Sequence, residues 1–246
     1  MSGHSKWANI KRKKGATDAA RAKIFTKISK EIMVAVRDGG ADPSSNSKLA
    51  NCIAKAKSNN IPNDNIQRLL KKASGETSNV NYEEIIYEGY GAGGVAFIVK
   101  TLTDNKNRTA GDVRHFFDKN GGSLGTNGCV SYMFETKGLI IVDAQGLNED
   151  DFTLTALDLG VEDLEYDEEL NMFVLKTLPQ DFLDIKEKLE NQKFNLLESE
   201  IKMLPVNTVE VEDIYKNKLN KLIEMLDEND DVQEVYHNAS NLDDEE

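Results

Sequence analysis

An α+β fold is predicted: a basic three-helix N-terminal domain, then two ferredoxin-like α/β domains, the third domain inserted into the second. Three observations predict it. Residues 1–80 place apolar side chains at helical spacing and carry 16 Lys/Arg against 6 Asp/Glu, a net charge of +10. Beyond residue 80 the pattern changes to short alternating runs, glycine turns and helical stretches. There the balance reverses to 14 Lys/Arg against 37 Asp/Glu, a net charge of −23. Such asymmetry assigns different partners to the two parts.

Residues 1–16 read as an extended or mobile arm, because they precede the first capped helix. The first helix spans residues 17–38, with Thr17 or Asp18 as cap and Gly39-Gly40 as stop. Ile24, Phe25, Ile28, Ile32, Ala35 and Val36 share one face, and Lys23, Lys27, Lys30 and Arg37 form a separate basic face. A second helix is expected from Pro43 to about Ser58, capped by Asp42. A third runs from near Pro62 to Gly75, with Ile66, Leu69 and Leu70 apolar and Arg68, Lys71 and Lys72 basic.

Residues 83–90 and 94–103 read as strands joined by a glycine turn, followed by a helix at 107–119 and a strand at 128–135. Then come strand 138–143, helix 149–158, strands 161–166 and 171–176, helix 179–191 and strand 196–203. This βαββαβ order is the ferredoxin-like unit. A helix at 212–227 and a strand at 231–237 remain and need a sheet to join. The expected domains are therefore 1–80, a discontinuous 81–134 plus 206–246, and an inserted 135–205. The discontinuous domain is expected to be a second ferredoxin-like unit, with residues 238–246 frayed.

Several function classes lack material. No apolar run is long enough to span a bilayer, and the basic N-terminus has no apolar segment behind it. A cytoplasmic protein without membrane contact is expected, with Cys52 and Cys129 as reduced thiols. Residues 89–94 match G-x-G-x-x-G, but strand residues VAFIVK follow where a dinucleotide site needs a helix, so a hairpin turn is expected. His4, His115 and His237 stand in no nucleophile or zinc-ligand pattern. The acidic run at 162–169 suits a solvated strand connection. The sequence calls for no enzyme activity, cofactor or metal.

The candidate chemistry is polyanion binding. In the arm, His4, Lys6, Trp7, Asn9, Lys11, Arg12, Lys13 and Lys14 combine cations, hydrogen-bonding groups and one indole. Cations neutralise phosphates, and an indole stacks on an exposed base or packs the arm onto the helical domain. Arg21, Lys23, Lys27 and Lys30 extend the set along the first helix. A second surface is the helix at 107–119, where Arg108, His115 and Lys119 share a stripe beside Lys106 and Arg114. An i,i+4 pair of Arg108 with Asp112 is the alternative there.

The stretches GHSKWANIK (3–11), KIFTKISKEI (23–32), NIPNDNIQRLLKK (60–72), YEGYGAGG (87–94) and LTDNKNRTAGDVRHFFDKNGGSLG (102–125) closely resemble the YebC/PmpR family. The resemblance implies a three-domain cytoplasmic protein without known enzymatic activity. Members are described as transcriptional regulators that bind DNA; others look like translation factors, including a mitochondrial activator of cytochrome oxidase synthesis and bacterial members that relieve stalling at proline runs. The mobile arm and second basic surface suit a large irregular RNA, whereas the weight of family description favours transcription. A non-enzymatic DNA-binding regulator is the expectation, with ribosomal RNA as the alternative target and the acidic domains as a surface for a protein partner. Oligomeric state is not legible in the sequence.

Overall fold

The structure, a computed structural model, describes residues 18–75 and 81–242, without the side chains of residues 18–21. These residues form two compact units, one of residues 134–206 and one of residues 18–133 with 207–242.

The larger unit begins with helices α1 (Asp18–Gly39), α2 (Ser47–Ser58) and α3 (Asn63–Ser74). Ile28, Ile32 and Ala35 of α1 bury against Leu49 and Ala56 of α2 and Ile66 and Leu69 of α3. Each fully buried Leu or Ile contributes about 1.5–3 kcal/mol. The expected start of α2 at Pro43 is corrected, because Asp42 Oδ1 accepts the Ser44 backbone N–H and makes a turn of residues 42–45. Asn46 is the cap: its Oδ1 accepts from the Leu49 N–H at 3.0 Å while its Nδ2 donates to Ala35 O at 2.7 Å and Gly40 O at 2.8 Å. One buried amide thus starts α2 and satisfies carbonyls at the end of α1.

The sheet of this unit has the order β3-β1-β2-β8, all antiparallel, with β1 Glu83–Tyr90, β2 Ala96–Thr103, β3 Ser123–Leu124 and β8 Val232–His237. Helices α4 (Lys106–Lys119) and α7 (Asp213–Glu228) cover one face. There Phe97 and Val99 pack with Val113, Phe117, Leu219, Leu222 and Leu226. On the other face, Glu234 of β8 accepts from Lys55 of α2 at 2.9 Å and from Lys100 of β2 at 3.4 Å. Lys55 also donates to Glu31 of α1 at 2.8 Å, so one charged network ties the helical segment to the sheet.

Two expectations fail here. No strand forms at 128–133; β4 (Phe134–Asp143) starts later, and the β3 pairing at Ser123–Leu124 was missed. The reason is Glu88, whose buried carboxylate accepts the backbone N–H groups of Gly128, Val130 and Ser131 at 2.8–2.9 Å. Amides bound to a carboxylate are not free for a ladder. Residues 238–242 are also docked, not frayed: Asn238 is fully buried, its Oδ1 accepts from the Ala96 N–H at 2.8 Å, and Leu242 joins the core. Residues 243–246 lie outside the described residues.

The smaller unit runs β4, α5 (Glu149–Asp158), β5 (Asp163–Asp167), β6 (Met172–Thr177), α6 (Phe182–Asn191), β7 (Leu196–Pro205). Its sheet order β5-β6-β4-β7 is antiparallel throughout, the ferredoxin-like arrangement. Ile140, Val142, Phe173 and Leu175 bury against Phe152, Ala156, Ile185 and Leu189 of the two helices. Among the described residues no helix is long and apolar enough to cross a membrane.

Candidate nucleic-acid interface

The arm positions His4, Lys6, Trp7, Asn9, Lys11, Arg12, Lys13 and Lys14 lie outside the described residues, as does the side chain of Arg21. The rest of the candidate surface is built from α1, α3 and α4.

The basic face of α1 is not a free face. Lys27 Nζ donates to Asp227 O at 3.2 Å, and Lys30 Nζ donates to Asp230 O at 2.8 Å and Asp231 Oδ1 at 3.0 Å. Arg37 donates to Asn81 Oδ1 at 2.6 Å and Tyr82 O at 2.9 Å. Lys23 is half-buried. For Lys27 and Lys30 the cause is the end of α7, where carbonyls without helical partners and a run of carboxylates attract cations. Burial lowers the Lys27 pKa, with Asp227 opposing it.

Asp231 collects the strongest of these contacts. Its carboxylate accepts from Arg108 Nη2 at 2.6 Å, Lys30 Nζ at 3.0 Å, Thr109 Oγ1 at 2.9 Å and Thr103 Oγ1 at 3.1 Å. Burial favours the neutral acid, but the bonds from Arg108, Lys30 and Thr109 outweigh it and bring the pKa down to about 2. Arg108 also pairs with Asp104 at 2.8 Å. The alternative pair of Arg108 with Asp112 is therefore corrected, and Asp112 instead accepts from Asn229 Nδ2 at 3.3 Å. Asn105 caps α4 by accepting the Arg108 N–H at 3.1 Å.

Beside this cluster lies an open depression of about 500 Å³, with Lys30 and Arg108 facing Asp104, Asp112, Glu228, Asp230 and Asp231. Carboxylates outnumber cations there, so it repels phosphate. The cations available to a polyanion stand elsewhere. Lys106 at the start of α4 and Arg114, His115 and Lys119 further along it are exposed and form no ion pair among the described residues. The same holds for Arg68, Lys71 and Lys72 on α3, opposite its buried Ile66 and Leu69.

The glycine stretch at 89–94 ends β1 and leads through a short turn, with Gly93 at φ +71°, directly into β2. The turn leads into a strand and not into a helix, which is the hairpin geometry. A side chain at Gly89 would meet Ser123 O at 2.5 Å, so the glycine serves the β1–β3 approach. Cys52 and Cys129 are free thiols, and burial pushes the Cys52 pKa up to about 12. Among the described residues no cluster of His, Cys, Asp or Glu could hold a metal.

A helical segment followed by two antiparallel sheets covered by helices defines an α+β protein. Residues 5–76 match the family described as "TACO1/YebC protein N-terminal domain", and residues 82–239 match "TACO1/YebC second and third domain". The chain belongs to the TACO1/YebC family. It is 54% identical over 239 residues, 97% of each chain, to a Clostridium beijerinckii protein named "Probable transcriptional regulatory protein". Proteins of the same name from Acetivibrio thermocellus and Ruminiclostridium cellulolyticum are 54% identical over 240 residues and 55% over 239, covering 96–98% of each chain. The crystal structure of a conserved hypothetical protein from Aquifex aeolicus superposes with a TM-score of 0.81 at 43% identity, covering 95% of this chain and 96% of that one.

Proposed function

We propose that the protein is a non-enzymatic, nucleic-acid-binding regulator of gene expression that acts on DNA as a transcriptional regulator. The observation that carries the reading is the set of exposed cations on α3 and α4 that form no ion pair among the described residues, in a chain of net charge −13. Phosphate neutralisation needs cations free of internal partners. The regulatory names of the full-length relatives support the same reading. In it, the arm residues 4–14, Arg21 and Lys23 join Lys106, Arg114, His115 and Lys119 as contacts. Lys27, Lys30 and Arg108 serve instead to hold α1 and α4 to the 227–231 turn. The reading keeps three domains, with residues 135–205 inserted into the domain of 81–134 and 206–246 and available to a protein partner.

Fractionation of a lysate at low salt, with and without RNase, tests the target. Retention on chromosomal DNA that survives RNase is the expected result. Co-migration with ribosomes, lost on RNase treatment, would replace DNA by ribosomal RNA. Replacing Lys11, Arg12, Lys13 and Lys14 by alanine should lower the salt slope of binding by several units, at about 0.9 per phosphate contact on B-DNA. An unchanged slope would remove the arm from the interface.

A further inference from the structure

Residues 206–246 contain only three lysines against 13 Asp/Glu, and all three lysines lie on α7. Lys216 pairs with Asp213 at 2.9 Å. Lys218 and Lys221, three residues apart, share the other side of the helix, since two residues turn it by about 200°. Both are exposed and form no ion pair among the described residues.

That side of α7 lies against the C-terminal end of α4. Asn120 Nδ2 contacts Met225 Sδ at 3.5 Å, and a methyl group placed on Gly121 would stand 3.7 Å from the Lys218 Cδ and Nζ. Gly121 has φ +75° and no side chain, so nothing at that position separates Lys218 from the α4 terminus that carries Lys119. Lys218 thus lies beside the chain two residues after Lys119, and with Lys221 one turn further along α7 these three lysines make up the α4–α7 ridge. The carboxylates nearest in sequence, Asp118 and Glu224, pair with none of them among the described residues.

We infer that this α4–α7 ridge is a second phosphate-binding surface that grips the sugar–phosphate backbone of the bound nucleic acid. Neutralising it loses no internal ion pair, so what the lysines offer is directed outward. The inference rests on the nucleic-acid reading above and adds to it a surface from the acidic half of the chain. DNA and RNA present the same phosphodiester chemistry, and the test separates them.

The test is a salt titration of the full chain against a short labelled DNA duplex and, in parallel, a labelled ribosomal RNA hairpin. Lys218→Ala with Lys221→Ala should lower the salt slope on the bound probe by about 1.8 and weaken binding about tenfold. Lys216→Glu changes the net charge equally from the opposite side of the same helix and should leave the slope near wild type. Thermal melts of the double variant and the wild type should coincide. A double variant that binds like wild type, while the four-alanine arm variant is weakened, overturns the ridge and spares the general reading. Equal losses in the double variant and in Lys216→Glu also overturn it, as a mere effect of net charge. A wild-type chain that binds neither probe overturns both.

Discussion

The Arg108 guanidinium of α4 donates to the Asp231 carboxylate at 2.6 Å, across 123 residues of sequence. Asp231 is 8% exposed at its side chain, and Lys30 of α1 shares it at 3.0 Å. A residue that looked like a phosphate ligand is thus a structural partner of the turn before β8.

Asp231→Asn should destabilise the protein by about 3 kcal/mol, because it leaves Lys30 and Arg108 without their shared counter-charge. The wild type carries a matching acid signature. A carboxylate with pKa near 2 in the fold and near 3.8 unfolded stabilises above pH 4 and loses that contribution as pH falls toward 2. Urea unfolding of both proteins at several pH values between neutrality and 2 checks it; parallel pH curves would dismiss the claim.

His237 gives a second pH dependence in a higher window. Its Nδ1 is shut off from solvent without a hydrogen-bond partner, its ring lies 5.7 Å from that of Phe97, and burial pushes its pKa down to about 4. The native state therefore binds its proton later than the unfolded chain, whose value is 6.5. Stability is full above pH 6.5 and falls by about 2–3 kcal/mol on acidification to pH 4. His237→Asn should flatten that part of the curve, and NMR titration of the imidazole should place its midpoint well below 6.

The network of Glu31, Lys55, Glu234 and Lys100 should be sensitive to its centre. Burial opposes the Lys55 charge, but Glu234 and Glu31 outweigh it and raise the pKa. For Glu31 burial wins over Lys55 and the carboxyl is raised. Lys55→Met should cost about 3–5 kcal/mol by stranding Glu31 and leaving Glu234 with Lys100 as its cation. Adding Glu31→Gln and Glu234→Gln should recover part of the loss; no recovery in chemical denaturation would show that packing, not charge, set the cost.

Glu88→Gln tests the loop at 128–131. One amide oxygen cannot replace a carboxylate that accepts three N–H groups, so the variant should lose about 1–3 kcal/mol. Hydrogen exchange at Val130 and Ser131 should accelerate by more than at β2 amides. Uniform acceleration across the sheet would mean global destabilisation instead.

Much of the fold was legible locally. Helices α1 and α3, the β1–β2 hairpin and the βαββαβ order each rest on periodicity, glycine stops and turn chemistry that act within a few residues. The sequence by itself determined which residues are apolar, where cations concentrate and which segments become helix. It could not show that Asn46 rather than Asp42 caps α2, or that Glu88 would take the amides of a segment that reads as a strand. Those outcomes depend on partners brought from elsewhere in the chain. The same holds for the surface. A lysine stripe looks identical in sequence whether it meets solvent or the carboxylates of the 227–231 turn. Only the tertiary structure decided that Lys30 and Arg108 are paired with Asp231 while Lys119 and Lys218 are left exposed, because electrostatic pairing acts over a few ångströms of space and is blind to separation along the chain.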